Sequence, residues 1–245
     1  MTNFCSSLST KTVTISYSDP VDLRYSIWEI WQNEAIPGMG EKRSIAVQLM
    51  IECERNNSKE LNLSGLGLTS LPSVLPKGLR ALDIHNNQLS EITPVLAPTL
   101  ITLDASENQL TILPNMGFLL ELTSLNVSHN RLLVLSGDLP PALEILFVNN
   151  NLLEEIPILP LFLIKFVAHN NNLIHFHGEL PPTLQLLDVR NNSRLTRLPT
   201  EMQRWIVEFF ASGSQPKYIS CGSPFDLKKF GADVNLLISI FGQSR

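Results

Sequence analysis

The chain has 245 residues, a net charge of −5 and 44% hydrophobic side chains. No large basic block is present, so nucleic acid is not an expected partner, and no run of about 18 apolar residues exists to span a membrane. Cys5, Cys53 and Cys221 are far apart and odd in number, which argues against disulfide-rich caps and for a reducing environment.

Residues 1–18 hold nine Ser or Thr and few large apolar side chains, the composition of a disordered leader and of a possible secretion address. No basic start followed by an apolar stretch marks a secretory signal peptide. The N-x-S triplets at Asn56, Asn62, Asn126 and Asn191 are therefore expected to stay unglycosylated. Residues 19–57 read as an N-terminal helical cap. Asp19 can cap a helix whose first position is Pro20. Leu23, Ile27, Ile30 and Trp31 fall at helical spacing and predict its inner face. Pro37-Gly38 ends it. A second helix is predicted over Glu41–Arg55, with Ala46, Leu49, Met50 and Cys53 inward. Trp28, Trp31 and Cys53 are expected in the core.

From 58 to 199 one pattern is written seven times, from starts at 58, 79, 100, 122, 143, 163 and 184. The clearest copy reads Leu79, Leu82, Ile84, Asn87, Leu89, Ile92. A period of 20 to 22 residues with this Leu and Asn spacing is the leucine-rich-repeat signature. The expected fold is an α/β solenoid, a horseshoe with parallel strands on its concave face and helical caps at both ends. Alternation places the fourth and sixth positions inside and the third, fifth and seventh on the concave surface. The ninth-position asparagines, Asn87, Asn108, Asn130, Asn151, Asn171 and Asn192, are expected to satisfy buried backbone groups where the chain turns. Leu66 takes that place in the first copy. Recurrent prolines such as Leu139-Pro140-Pro141 exclude a helix from the back of the repeats.

Residues 200–245 are read as a C-terminal cap helix and tail. Met202, Trp205, Ile206, Phe209 and Phe210 lie at helical spacing. So do Phe230, Val234, Leu237 and Phe241 in the tail, which either folds back on the solenoid or offers a sticky partner helix. Exposed apolar helices are liabilities, which favours folding back.

The concave positions change character along the array. Early copies carry small or acidic residues. Copies five to seven bring together Ile145, Phe147, Val167 and Leu186, with Asn149, Lys165, His169, Asp188 and Arg190 around them. An apolar centre with a basic rim has the make-up of a protein-binding hot spot, so these nine residues are the expected partner site. His175-Phe176-His177 beside Glu155 is the one metal-like spacing, and a solvated polar cluster is the favoured reading, with no metal or other cofactor expected. No G-x-S-x-G elbow, phosphate loop or dinucleotide fingerprint marks a catalytic centre.

One combination is narrower than the repeat alone. Tyr25-Ser26-Ile27-Trp28-Glu29-Ile30-Trp31 and Glu34-Ala35-Ile36-Pro37-Gly38 stand just before L-P-x-x-L-P backs and L-x-V/I-x-x-N-x-L fronts. This resembles the recognition half of the IpaH effectors, and more broadly the YopM and SspH type. The resemblance implies injection by type III secretion into the host cytoplasm and capture of a host protein by a monomeric chain. In the ligase members of that family the repeats precede a domain that transfers ubiquitin from a cysteine in a C-x-D motif. Here the three cysteines begin Cys5-Ser6-Ser7, Cys53-Glu54-Arg55 and Cys221-Gly222-Ser223. The chain is thus expected to bind without being an enzyme by itself. The alternative is the substrate-recognition domain of an E3 ubiquitin ligase.

Overall fold

The computed structural model describes residues 20–35, 37–38, 40–92, 96–135, 138–176, 180–194 and 218–220, of which 20–22, 175–176 and 218–220 are described in backbone only. The leader, the helix expected over 202–210, the tail helix, Cys5, Cys221 and His177 lie outside these residues.

Two helices, α1 (Pro20–Asn33) and α2 (Arg43–Arg55), precede ten short strands. The strands are β1 (Glu60–Asn62), β2 (Ala81–Asp83), β3 (Thr102–Asp104), β4 (Ser124–Asn126), β5 (Ile145–Phe147), β6 (Glu155–Ile156), β7 (Lys165–Val167), β8 (His175–Phe176), β9 (Leu186–Asp188) and β10 (Tyr218–Ser220). One sheet runs β1-β2-β3-β4-β5-β7-β9-β10, and β6 pairs with β8 in a second. Every pairing is parallel and in register, so equivalent repeat positions form straight rows across the sheet. The protein is a leucine-rich-repeat solenoid, as the periodicity predicts.

The strands of the main sheet are only three residues long because the ninth-position turn must follow soon after. Leu61 and Leu63, Leu82 and Ile84, and their equivalents are buried, forming one core continuous from cap to last repeat. Each ninth-position asparagine closes a set of backbone bonds between two turns. The Asn130 amide donates to the carbonyls of Ala105 one repeat earlier and of Val127 and Ser128 in its own. Its Oδ1 accepts from the Leu110 N–H at 2.9 Å. Asn87 also takes the Leu66 N–H of the first repeat, where leucine stands in the asparagine place.

The eighth position is a further rule. Asn86, Glu107, His129, Asn150, Asn170 and Asn191 all have φ between 53° and 56°, and Gly65 has φ 64° in the first copy. Only a left-handed residue turns the chain from strand into the inward asparagine. Glycine and asparagine tolerate that conformation best, which explains most of these identities.

The N-terminal cap corrects one expectation. Leu23 and Ile30 are 48% and 60% exposed, whereas Arg24, Trp28 and Trp31 are buried. The inward face of α1 is set by what repeat one can pair. Trp28 Nε1 donates to the Val74 carbonyl at 2.7 Å, and Trp31 Nε1 to Ser70 Oγ at 3.1 Å. Arg24 pairs with Glu54 of α2 at 3.0 Å. Arg43 lies over the Trp31 ring and donates to its carbonyl. Ala46, Met50 and Cys53 bury the inner face of α2 as expected, with Val47 beside them and Leu49 half-buried. Burial pushes the Cys53 thiol above its usual range. Cys53 packs into the core of the cap.

Tyr218–Ser220 is the unexpected element. It adds a parallel strand to β9, pairing Tyr218 with Leu186 and Ser220 with Asp188. The repeat consensus ends before it, yet the sheet goes on for one more strand.

Candidate functional site: the concave face

Strand pairing brings the expected residues together. One row carries Ser124, Ile145, Lys165 and Leu186 side by side, and the next carries Asn126, Phe147, Val167 and Asp188. Neighbours in a row stand about 4.8 Å apart. Ile145, Phe147, Asn149, Val167, His169, Leu186 and Arg190 are half-buried and Lys165 is exposed.

Asp188 departs from the expected role. Its residue is only 4% exposed. Its carboxylate accepts the Arg190 N–H and a forked pair of guanidinium bonds, Nε at 2.9 Å and Nη2 at 2.6 Å. Asp188 therefore orients Arg190 instead of facing a partner, and much of the Arg190 charge is neutralised locally. The basic rim then rests on Lys165 and His169.

The same device recurs in the early repeats, where it was not anticipated. The fifth-position side chain accepts from the N–H and side chain of the seventh. Asn62 takes Ser64 at 2.8 and 2.7 Å. Asp104 takes Ser106 at 2.9 and 2.6 Å. Asn126 takes Ser128 at 3.1 and 2.7 Å. Asp83 takes the His85 N–H and its Nδ1, the latter at 2.7 Å. These are Asx turns that stop each strand. They also remove fifth and seventh positions from the pool of unoccupied recognition groups, and they bury Ser106 and Ser128. An Asp or Asn followed two residues later by Ser is the sequence signal for it. Repeats five and six break the rule, with Phe147 before Asn149 and Val167 before His169.

Electrostatics follow the same division. Glu60, Asp83 and Asp104 line a groove of about 630 Å³ over repeats one to five, which ends against Phe147. Phe147 alone of the nine expected site residues lines it. The hydrogen bond that His85 makes to the Asp83 carboxylate raises the His85 pKa above its usual value against opposing desolvation, helped by the charges of Asp83, Asp104 and Glu107. His85 and His169 follow β2 and β7 by two residues, and those strands are four steps apart in the sheet.

On the back, Glu155 and His175 are register partners across β6 and β8. The His175 side chain and all of His177 lie outside the described residues. Among the described residues no group of three potential metal-ligating side chains is present, and no helix is long and apolar enough to cross a membrane.

This architecture defines a class, a leucine-rich-repeat solenoid with a two-helix N-terminal cap. Residues 1–48 match the family described as type III secretion system leucine rich repeat protein, and residues 121–146 match the leucine rich repeat. E3 ubiquitin-protein ligase ipaH9.8 of Shigella flexneri is 40% identical over 89 residues, 36% of this chain and 15% of the ligase. E3 ubiquitin-protein ligase SlrP of Salmonella typhimurium is 39% identical over 66 residues, 27% of this chain and 9% of that protein. The matches thus span a small part of those ligases. A Shigella effector LRR domain superposes with TM-score 0.63 at 28% identity, covering 84% of this chain and 99% of that domain. YopM from Yersinia enterocolitica gives TM-score 0.50 at 30% identity, covering 70% of this chain and 46% of YopM. These matches make the chain similar to the leucine-rich-repeat effectors of the IpaH/YopM type.

Proposed function

We propose that the chain is delivered by a type III system into the host cytoplasm, where it captures a host protein on its concave face. The contact centres on Phe147 and Val167, flanked by Ile145, Leu186, Asn149, Lys165 and His169. The observation that carries this reading is the interrupted Asx-turn pattern. Repeats one to four and repeat seven use fifth and seventh positions on each other. Repeats five and six place apolar side chains there, on adjacent strands in register. Nothing in the scaffold requires an apolar residue at the fifth position, since five other repeats do without one. Water-exposed apolar side chains in a rigid, half-buried row suit a partner that excludes water from them.

The test combines Phe147→Ala with Val167→Asp and measures capture from host lysate beside thermal melting. Capture is expected to vanish with the melting temperature nearly unchanged. Undiminished capture would sink the reading. The 245 residues act here by binding and do not transfer ubiquitin themselves. Self-ubiquitination by the purified chain with host E1 and E2 enzymes would overturn that part.

A further inference from the structure

Four register positions on consecutive strands of the main sheet form a row in which one charge interrupts apolar and aromatic residues. Pairing of β5 with β7 and of β7 with β9 aligns Ile145, Lys165 and Leu186. Pairing of β10 with β9 adds Tyr218 beside Leu186, so the third-position row continues past the last repeat. Neighbours in it stand about 4.8 Å apart, and the four positions span about 14 Å.

The lysine in this row is available. Elsewhere on the concave face Asp83 holds His85, and Asp188 holds Arg190. Lys165 is exposed, and among the described residues it makes no ion pair. A partner that covers Ile145 and Leu186 also covers the position between them. An ammonium group taken out of water without a counter-charge is strongly unfavourable. A purely apolar partner surface is therefore disfavoured there, and one that brings a carboxylate is favoured.

We propose that the captured host protein presents an extended acidic segment, a carboxylate with apolar side chains on either side, that lies along this row from Ile145 to Tyr218. This rests on the concave-face reading above and adds the chemistry of the partner. About five extended residues cover the span. Charge sets which way the segment runs from Lys165. Glu60, Asp83 and Asp104 line the groove over β1, β2 and β3, so a segment rich in carboxylates is repelled from that end and continues towards β9 and β10. Tyr218 holds the next register position there, and tyrosine is among the residue types that carry most of the binding energy at interfaces.

The probe is a random peptide library displayed on phage and selected on the full chain. Selected peptides are expected to carry Asp or Glu with apolar residues on both sides. Their affinity, read by fluorescence polarisation of the synthetic peptides, should fall at least about tenfold in Lys165→Glu and about tenfold in Tyr218→Ala. Selection repeated on Lys165→Glu should return Lys or Arg in place of the acidic residue. Lys165 is exposed, so that variant should keep the melting temperature. If Tyr218→Ala lowers it, Tyr218→Thr, which favours a strand, takes its place. Peptides without an acidic preference, affinities unmoved by Lys165→Glu or by both Tyr218 variants, or no enriched peptide at all overturn the proposal. The Phe147→Ala/Val167→Asp variant separates it from the reading it rests on. Acidic peptides that still bind that variant but not Lys165→Glu reject the Phe147–Val167 centre and leave the acidic segment standing. Peptides that the double variant loses but that lack an acidic residue do the reverse.

Discussion

Repeats three and six place the same positions on the same sheet and use them in opposite ways. In repeat three Asp104 binds the Ser106 N–H and hydroxyl through Oδ1 and receives the Asn126 amide on Oδ2. In repeat six Val167, the last residue of β7, and His169 just after it hold those places. A polar concave residue is thus not automatically a recognition residue. Its hydrogen-bonding capacity can already be spent within its own repeat or on the next. The contrast shifts attention from polarity to vacancy. In the acidic half of the face the fifth and seventh positions are paired with each other, whereas repeats five and six carry apolar side chains at the fifth position.

The contrast can be broken by grafting. Val167→Asp with His169→Ser rebuilds the repeat-three turn in repeat six. Partner capture should fall by about 30-fold or more, as loss of a hot spot of about 2 kcal/mol implies, while thermal stability holds or rises slightly. Retained capture would move the site elsewhere on the face. Asn130→Ala tests what both halves share. It removes three donated bonds and one accepted bond from the buried turn. Denaturant unfolding should show a loss of about 1–3 kcal/mol, and a neutral result would refute the scaffold role. Asp104→Ala should cost about 1 kcal/mol by the same measurement and leave capture intact, since its bonds run to Ser106 and Asn126. The smallest effect concerns His85. Its pKa is raised chiefly by the Asp83 hydrogen bond. The stabilisation it contributes is complete below the unfolded histidine value and is lost as pH rises through the higher folded value. NMR titration should show the His85 midpoint above 6.5, its ordinary value. Asp83→Asn should lower that midpoint, and an unmoved midpoint would exclude the pair as its cause.

The IpaH/YopM likeness fits this division of labour. A solenoid keeps its core at fixed repeat positions and can vary the concave rows without disturbing it. That separation lets one scaffold present different surfaces.

Much of this was legible in the sequence because the solenoid writes its fold locally. A leucine every 20 to 22 residues states which side chain faces in, and the asparagine five residues after the inward fourth-position residue states where the chain turns. Those assignments follow from chain geometry within one repeat. The sequence by itself therefore determined the solenoid, its register, its core and the rows that face the concave side. It also placed Phe147 beside Val167, since in-phase copies must stack in parallel. Other features depend on contacts between residues far apart in the chain, and only the tertiary structure decided them. Periodicity favoured Leu23 and Ile30 for the inner face of α1 beside Trp31, and the core expectation for Trp28 and Trp31 held, but Leu23 and Ile30 face out and Arg24 turns inward to the partner that Glu54 offers. Nothing in the repeat pattern foretold that Tyr218–Ser220 would extend the sheet, because edge pairing uses backbone groups that every residue carries. Asp188 read as an open acidic contact until Arg190 closed over it. In each case the pattern named the direction of a side chain. What met it there was set by a neighbouring turn, helix or strand, and by whether that neighbour could satisfy its polar atoms.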